Sequence, residues 1–314
     1  MNPSFAIVFF TTASGAGFAL MALVGFAVPL RLLPAESSFG LTALLLAGVL
    51  AASGLVSSTL HLGHPERAWR AFSQWRSSWL SREGVFAVLT FVPAAVFAFY
   101  WVILGWVGGF AGVCAMLAVA GSIATIYCTG MIYASLKPIR QWHNGWVVPN
   151  YFSLALMSGF LLLDFIARFW ASAGRIAILT LVSIAVAWWF KERYWRFIDA
   201  SASPVSVASA TGLGRRGAVR MLEPPHTEEN YLLKEMGFSI ARKHAARLRL
   251  IARLAAFAAP AVLTLVALIW DGWAGIAATF LAVLGAALGL VIERWLFFAE
   301  ARHAVTLYYG AEAA

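Results

Sequence analysis

The stretch Gly84-Val-Phe-Ala-Val-Leu-Thr-Phe-Val-Pro-Ala-Ala-Val-Phe-Ala-Phe-Tyr-Trp-Val-Ile-Leu-Gly-Trp106 runs for 23 residues without one charged side chain. A helix rises about 1.5 Å per residue, so roughly 20 such residues cross the hydrocarbon core of a bilayer. No water is available there to backbone amides and carbonyls, and a helix satisfies them within its own segment. Seven further runs read the same way: residues 4–30, 40–60, 110–136, 150–168, 175–191, 253–270 and 274–292. The expected fold is an all-α integral membrane protein, an eight-transmembrane-helix bundle forming a single polytopic domain over residues 1–314. Pro3, Pro34, Pro138 and Pro149 punctuate the runs, and Asp271-Gly272 marks a tight turn between the last two. Small residues inside the runs (Gly15, Gly17, Gly25, Gly285, Gly289) let helices approach closely. No charged residue precedes the first run, so it reads as a retained helix and not as a cleaved signal peptide.

Composition agrees. Hydrophobic residues make up 61% of the chain and charged residues 12%, against about 25% charged in soluble domains. Mean hydropathy is +0.80. The net charge of +9 belongs to the loops, which makes anionic lipid or an acidic partner the counterpart and leaves no reason to invoke nucleic acid. One set of loops carries Arg67, Arg70, Arg76, Arg82, Lys137, Arg140, Arg294 and Arg302, plus twelve basic residues from Lys191 to Arg253. The other set carries only Arg31, Arg168 and Arg175. Long loops weigh little in orientation, but eight against three still places both termini inside. The expectation is a multi-pass protein of the bacterial inner membrane with cytoplasmic termini.

The one long polar segment, residues 192–252, is then a cytoplasmic loop. Asp199 to Gly217 is rich in Ser, Ala and Gly and reads as an irregular linker. From Thr227 to Arg253 a basic amphipathic helix is expected, with Leu232, Leu233, Met236 and Ile240 on one face and Lys234, Arg242, Lys243 and Arg247 elsewhere. Such a helix suits the membrane surface or a docked subunit. Cys114 and Cys128 share one apolar run, an arrangement that fits buried packing better than a disulfide framework or an iron–sulfur site.

The densest polar cluster beside a span is His61-Leu-Gly-His64-Pro-Glu66-Arg67-Ala-Trp69-Arg70, followed by Ser81-Arg82-Glu83-Gly84. A lipid-soluble quinone takes up two electrons and two protons. Its oxygens need hydrogen-bond donors, and an acid or base nearby must connect them to water. Imidazole serves near neutral pH and a carboxylate relays, so His61 and Glu83 are the candidates. A plainer reading stands beside this one: interfacial His, Arg and Trp are ordinary at helix ends, and Glu83 can answer the helix dipole with Ser81 as N-cap. Asp164 and Arg168, four apart, read as a helix-surface ion pair. Glu293, Arg294 and Glu300 read as side chains snorkelling at the end of the last span. Gly212-Leu-Gly214-Arg-Arg-Gly217 matches a dinucleotide fingerprint by letter but follows no strand. The six histidines all fall in loops or at helix ends, which argues against bis-histidine haem, and no metal-ligand spacing occurs.

The His61-Leu-Gly-His-Pro-Glu-Arg-Ala loop and Leu80-Ser-Arg-Glu83 resemble the membrane anchor subunit family of dimethyl sulfoxide reductase-like complexes. Met131-Ile-Tyr-Ala-Ser-Leu-Lys-Pro138 and Glu293-Arg294 near Leu296-Phe-Phe extend the likeness over nearly the whole chain. The resemblance implies an anchor that is not catalytic alone and holds neither haem nor cluster. It would hold a four-cluster ferredoxin-like iron–sulfur subunit and a molybdopterin catalytic subunit at the membrane lipid, and exchange electrons with ubiquinone or menaquinone. It assigns the quinone site to His61 and Glu83 with Arg67 in support; His64 stands where the family favours a small residue. Arg70, Arg76, Arg82, Lys137 and Arg140 are the expected docking cations. The long basic segment, with Leu222-Glu-Pro-Pro-His-Thr-Glu-Glu-Asn-Tyr231, looks like the variant found in sulfite-oxidising complexes, which implies sulfite as donor and quinone as acceptor. The same geometry serves dimethyl sulfoxide reduction from quinol. A purely structural anchor and a polytopic transporter are the competing classes. Against transport, spans one to six show only Asp164 at depth, whereas transporters place polar groups or broken helices near the midplane.

Overall fold

The computed structural model describes residues 3–60, 62–170, 174–200, 206–219, 222–223 and 244–309. His61 lies outside the described residues, as do the amphipathic-helix positions Leu232, Leu233, Lys234, Met236, Ile240, Arg242 and Lys243. Eight helices are long and apolar enough to cross a membrane: α1 Phe5–Ala27, α2 Ser37–Thr59, α3 Trp79–Ile103, α4 Phe110–Ala134, α5 Val147–Ala167, α6 Gly174–Ala200, α7 Ala245–Ile269 and α8 Gly272–Ala299. Among the described residues there is no β-strand. Successive helices alternate in direction, so one face of the bundle gathers the starts of α1, α3, α5 and α7 with the ends of α2, α4, α6 and α8. The start of the first span and the end of the last lie at this face, called here the terminal face.

The core sits around α1, which packs on α2, α4, α5 and α8. The contact with α2 needs Gly17: a Cβ there would lie 2.5 Å from the Ala51 nitrogen and 2.6 Å from the Ala47 oxygen. Lipid offers no hydrophobic drive between helices, so close backbone approach through small residues is what holds them. Gly289 does the same for α8 against the backbone of Ala256 in α7. That part of α7 is a wider π turn, Leu254–Ala258, just ahead of Pro260, whose ring cannot coexist with an ordinary bond to the carbonyl four residues back. The outward positions are large and apolar, among them Leu45, Leu89, Val92 and Leu117, as a lipid-facing surface requires.

Two helices outrun their hydropathy. α6 continues past Lys191 to Ala200, and α7 begins at Ala245, eight residues before the apolar run at 253–270. The segment between them is correspondingly shorter than residues 192–252. The added turns are charged, yet Lys191, Tyr194 and Trp195 are buried in the bundle. The expected irregular linker also contains a short helix, Val207–Thr211, closed at its start by reciprocal Ser206 and Ser209 hydrogen bonds, and a 3-10 turn, Leu213–Arg216. The Asp271-Gly272 turn is found as read, with Gly272 at φ +68°.

Replacing Gly17 by Leu is expected to cost about 1–3 kcal/mol through overpacking. Gly48, which has nothing within 4 Å of an added Cβ, is expected to accept Ala without loss. Thermal unfolding of the two variants in detergent checks the contrast; equal melting points would contradict the α1–α2 contact.

Candidate functional site

α3 opens at Ser78, whose backbone is extended and whose hydroxyl accepts from the Ser81 amide at 3.4 Å. Ser78, not Ser81, is therefore the N-cap; Ser81 is buried one turn inside. This start turns Glu83 inward, leaving it 2% exposed against α4. Its carboxyl receives the hydroxyl of Thr129, which also lies 3.0 Å from the Thr125 carbonyl. A hydroxyl has one proton to give and can also accept. Thr129 thus sits between a buried acid and whatever lies on its other side.

On that other side is a cavity walled by α1, α4, α5 and α8. Its polar lining is Thr11, Thr12, Ser14, Thr129, Tyr151, Ser158 and Arg294, and its volume of about 20 Å³ holds roughly one water. An apolar cleft of about 230 Å³ adjoins it, sharing Thr12, Ser158 and Leu290 and continuing along Phe9, Leu50 and Leu161. Arg294, 3% exposed, faces Thr129 across the polar cavity. Its guanidinium carbon stands 3.9 Å from the centre of the Tyr151 ring, and Tyr151 in turn stacks on Tyr133 at 5.7 Å.

Arg294 belongs to a buried ion cluster. Glu293 faces Lys191 of α6 through one carboxylate oxygen and lies 3.4 Å from the Arg294 Nε through the other. Arg249 of α7 donates to Glu300 at 2.9 Å and to Asp199 at 2.7 Å. Glu293, Arg294 and Glu300 are therefore interior groups and not snorkelling ones, a correction to their reading from sequence. The reason is that α6 and α7 extend beyond their apolar runs and wall these positions off. An aromatic collar encloses them: Tyr133 meets Phe297 and Phe298 at 5.5 and 5.3 Å, and the Trp142 indole donates to the Phe297 carbonyl at 3.0 Å. Asp164 and Arg168, expected on a helix surface, are likewise buried; they pair at 3.2 Å, and Arg168 ties α5 to α7 through the Ala267 carbonyl at 2.8 Å.

Among the described residues, the structure does not bring His64 or Arg67 to Glu83. The loop after α2 forms an exposed 3-10 helix, Pro65–Gln74. His64, with its side chain 67% exposed, meets Glu66 at 3.1 Å, and Arg67, 56% exposed, meets the same carboxylate at 3.6 Å. Of the docking cations, Arg70 and Arg76 are exposed and each lies 5.7 Å from a neighbouring Trp ring. Arg82 is spent on structure: it donates to the Trp75 and Arg76 carbonyls at 2.9 and 2.6 Å and lies 4.3 Å over Trp79. Lys137 is exposed, while Arg140 is half-buried 5.5 Å from Phe197. Sequence reasoning passed over Thr129, Tyr151 and Lys191; the available signal was a lysine and a Glu-Arg pair at matching depth in two different runs.

Eight spans, four of which wall a small polar chamber near the terminal face, define a polytopic membrane protein. The chain belongs to the DMSO reductase anchor subunit (DmsC) family, whose model matches residues 1–310. Over 342 aligned positions, taking in 100% of both chains, it is 35% identical to one of the subunits of sulfite dehydrogenase from Allochromatium vinosum. No solved structure matches the chain. The likeness drawn from the His61–Glu83 region is borne out: this is a multi-pass membrane anchor subunit of an oxidoreductase complex.

Glu293→Met leaves both Lys191 and Arg294 as uncompensated buried charges and is expected to cost about 3–5 kcal/mol, whereas Lys191→Met, which keeps the Glu293–Arg294 pair, is expected to cost less. Unfolding of the two variants in detergent measures it; equal losses would show that Glu293 does not bridge the two cations.

Proposed function

We propose that this chain is the quinone-reactive anchor of a molybdopterin/iron–sulfur oxidoreductase. It holds an iron–sulfur subunit and a catalytic subunit on the terminal face, in the cytoplasm, and passes electrons between the clusters and ubiquinone or menaquinone in a bacterial plasma membrane. The relative's description as part of a sulfite dehydrogenase favours sulfite as the donor and quinone as the acceptor, with the reverse flow from quinol to an S- or N-oxide as the other direction. One observation carries the reading: buried Glu83 is joined through Thr129 to a polar cavity whose far wall is Arg294, beside an apolar cleft.

Each part answers a need of the reaction. The cleft suits an isoprenoid chain. The polar cavity is small, and receiving the ring requires its walls to part along the cleft they share. Arg294 donates to one quinone oxygen, and its charge favours the oxygen as electrons arrive. Glu83 passes a proton through the Thr129 hydroxyl to the other. The exposed Pro65–Gln74 helix, with Trp69, Phe72 and Trp75 outward beside Arg67, Arg70 and Arg76, is the docking ground for the iron–sulfur partner.

Glu83→Gln is expected to lower quinone-linked turnover of the assembled complex by on the order of a hundred-fold while dye-linked turnover of the catalytic subunit stays intact. Thr129→Val is expected to resemble it, and Thr129→Ser to keep activity. Unchanged quinone-linked turnover in both Glu83→Gln and Thr129→Val would leave a purely structural anchor.

A further inference from the structure

Reduction of a quinone needs a proton at each of its two oxygens, and Glu83 with Thr129 serves only one wall of the cavity. The ionisable groups behind the opposite wall have no part in that step. They nevertheless lie in two linked groups between the cavity and the terminal face, with the Trp195 ring between Lys191 and Arg249. Arg294 lines the cavity, Glu293 lies between Arg294 and Lys191, and the Lys191 ammonium lies 4.9 Å from the Trp195 ring centre. Arg249 lies 5.6 Å from the same ring and binds Glu300 on one side and Asp199 on the other. The Asp199 side chain is 60% exposed and opens the series to water. Resting on the quinone reading, we propose that Glu293, Lys191 and Glu300 form a second proton route, separate from Glu83, that connects the Arg294 side of the cavity to water at Asp199.

The chemistry divides the series into carriers and holders. A guanidinium does not give up its proton in a protein, so Arg294 and Arg249 hold carboxylates in place and are positioning residues. Glu293, Lys191 and Glu300 each exist in two protonation states and can carry. Burial holds the Glu300 carboxyl above the usual range, against the opposing pull of Arg249, with Lys191 and Asp199 the other charges acting on it. Glu293 Oε2 and Glu300 Oε2 are buried without a hydrogen-bond partner among the described residues, so each retains an acceptor position for a proton in transit. A fold held only by apolar contacts at these positions would lose no stability, since buried ion pairs seldom outperform well-packed hydrophobic ones. Six charges strung from cavity to surface therefore ask for a use.

The step balances as follows. Two electrons come from the iron–sulfur relay of the partner subunit and convert both C=O groups of the quinone to C–OH. One proton arrives by Glu83 and Thr129. The other leaves the Lys191 ammonium for the Glu293 carboxylate and reaches the ring oxygen beside Arg294; Glu300 restores it to Lys191 and recovers its own from water near Asp199. Quinol oxidation runs the same transfers backwards.

The test uses the assembled complex in native membranes, with quinone-linked turnover expressed relative to dye-linked turnover and the binding of a fluorescent quinol analogue measured in parallel. Glu293→Gln is expected to lower the ratio by about a hundred-fold and Glu300→Gln by about ten-fold, with analogue affinity within about two-fold of the parent and turnover restored by a small weak acid such as formic or acetic acid. Rescue separates proton delivery from a structural defect. A ratio unchanged in both variants, or a loss that no weak acid restores, overturns the route while analogue binding leaves the quinone site standing. A parent complex that binds no analogue overturns both. Should Glu293→Gln fail to assemble because Lys191 is left unpaired, Glu300→Gln at the solvent end decides alone.

Discussion

The Glu293 carboxylate, clamped between Lys191 and Arg294 inside the bundle, is the interaction on which the functional end of this protein depends. Charges removed from water cannot be left single, so these three side chains fix the last turns of α6 against the last turns of α8. Arg294 carries the constraint onward by lying over Tyr151 of α5, which stacks on Tyr133 of α4. Four helices are thereby registered at one depth. Thr129 stands one turn before Tyr133 on α4, so the same registration places its hydroxyl in the cavity wall while it holds Glu83 of α3.

This arrangement explains why a membrane anchor has so polar an interior. Helix packing alone is met by the small residues at Gly17 and Gly289 and by the apolar flanks. The buried acid and the buried base, by contrast, converge on one small chamber from opposite sides. Membership of the DMSO reductase anchor subunit (DmsC) family accounts for the eight spans and the docking role. In the proposed reading, the chamber is where electrons and protons meet a quinone.

The existence and order of the eight spans were legible because a bilayer imposes one length and one composition on every crossing. Helix ends were less so. Hydropathy stops at the first charge, and it stopped at Lys191 and at Arg253, whereas the helices run on to Ala200 and back to Ala245 because their charged turns find partners inside. The same blindness misplaced Glu293 and Arg294 at the surface: no single run reveals that its charge is answered by another run. Glu83 was singled out by its place at a span start and by the motif around it, and the structure buries it. His64 and Arg67 sit in the same motif, but one caps and the other lies within an exposed 3-10 helix, a distinction that spacing along the chain does not carry.

Photolabelling of the assembled complex with an azidoquinone, followed by mass spectrometry of the modified peptides, tests the central claim most directly. Label is expected on the α4, α5 and α8 segments that carry Thr129, Tyr151 and Arg294, and competition with unlabelled quinone should remove it. Label confined to the exposed 64–76 segment, with none on those three helices, would contradict a quinone site built between Glu83 and Arg294.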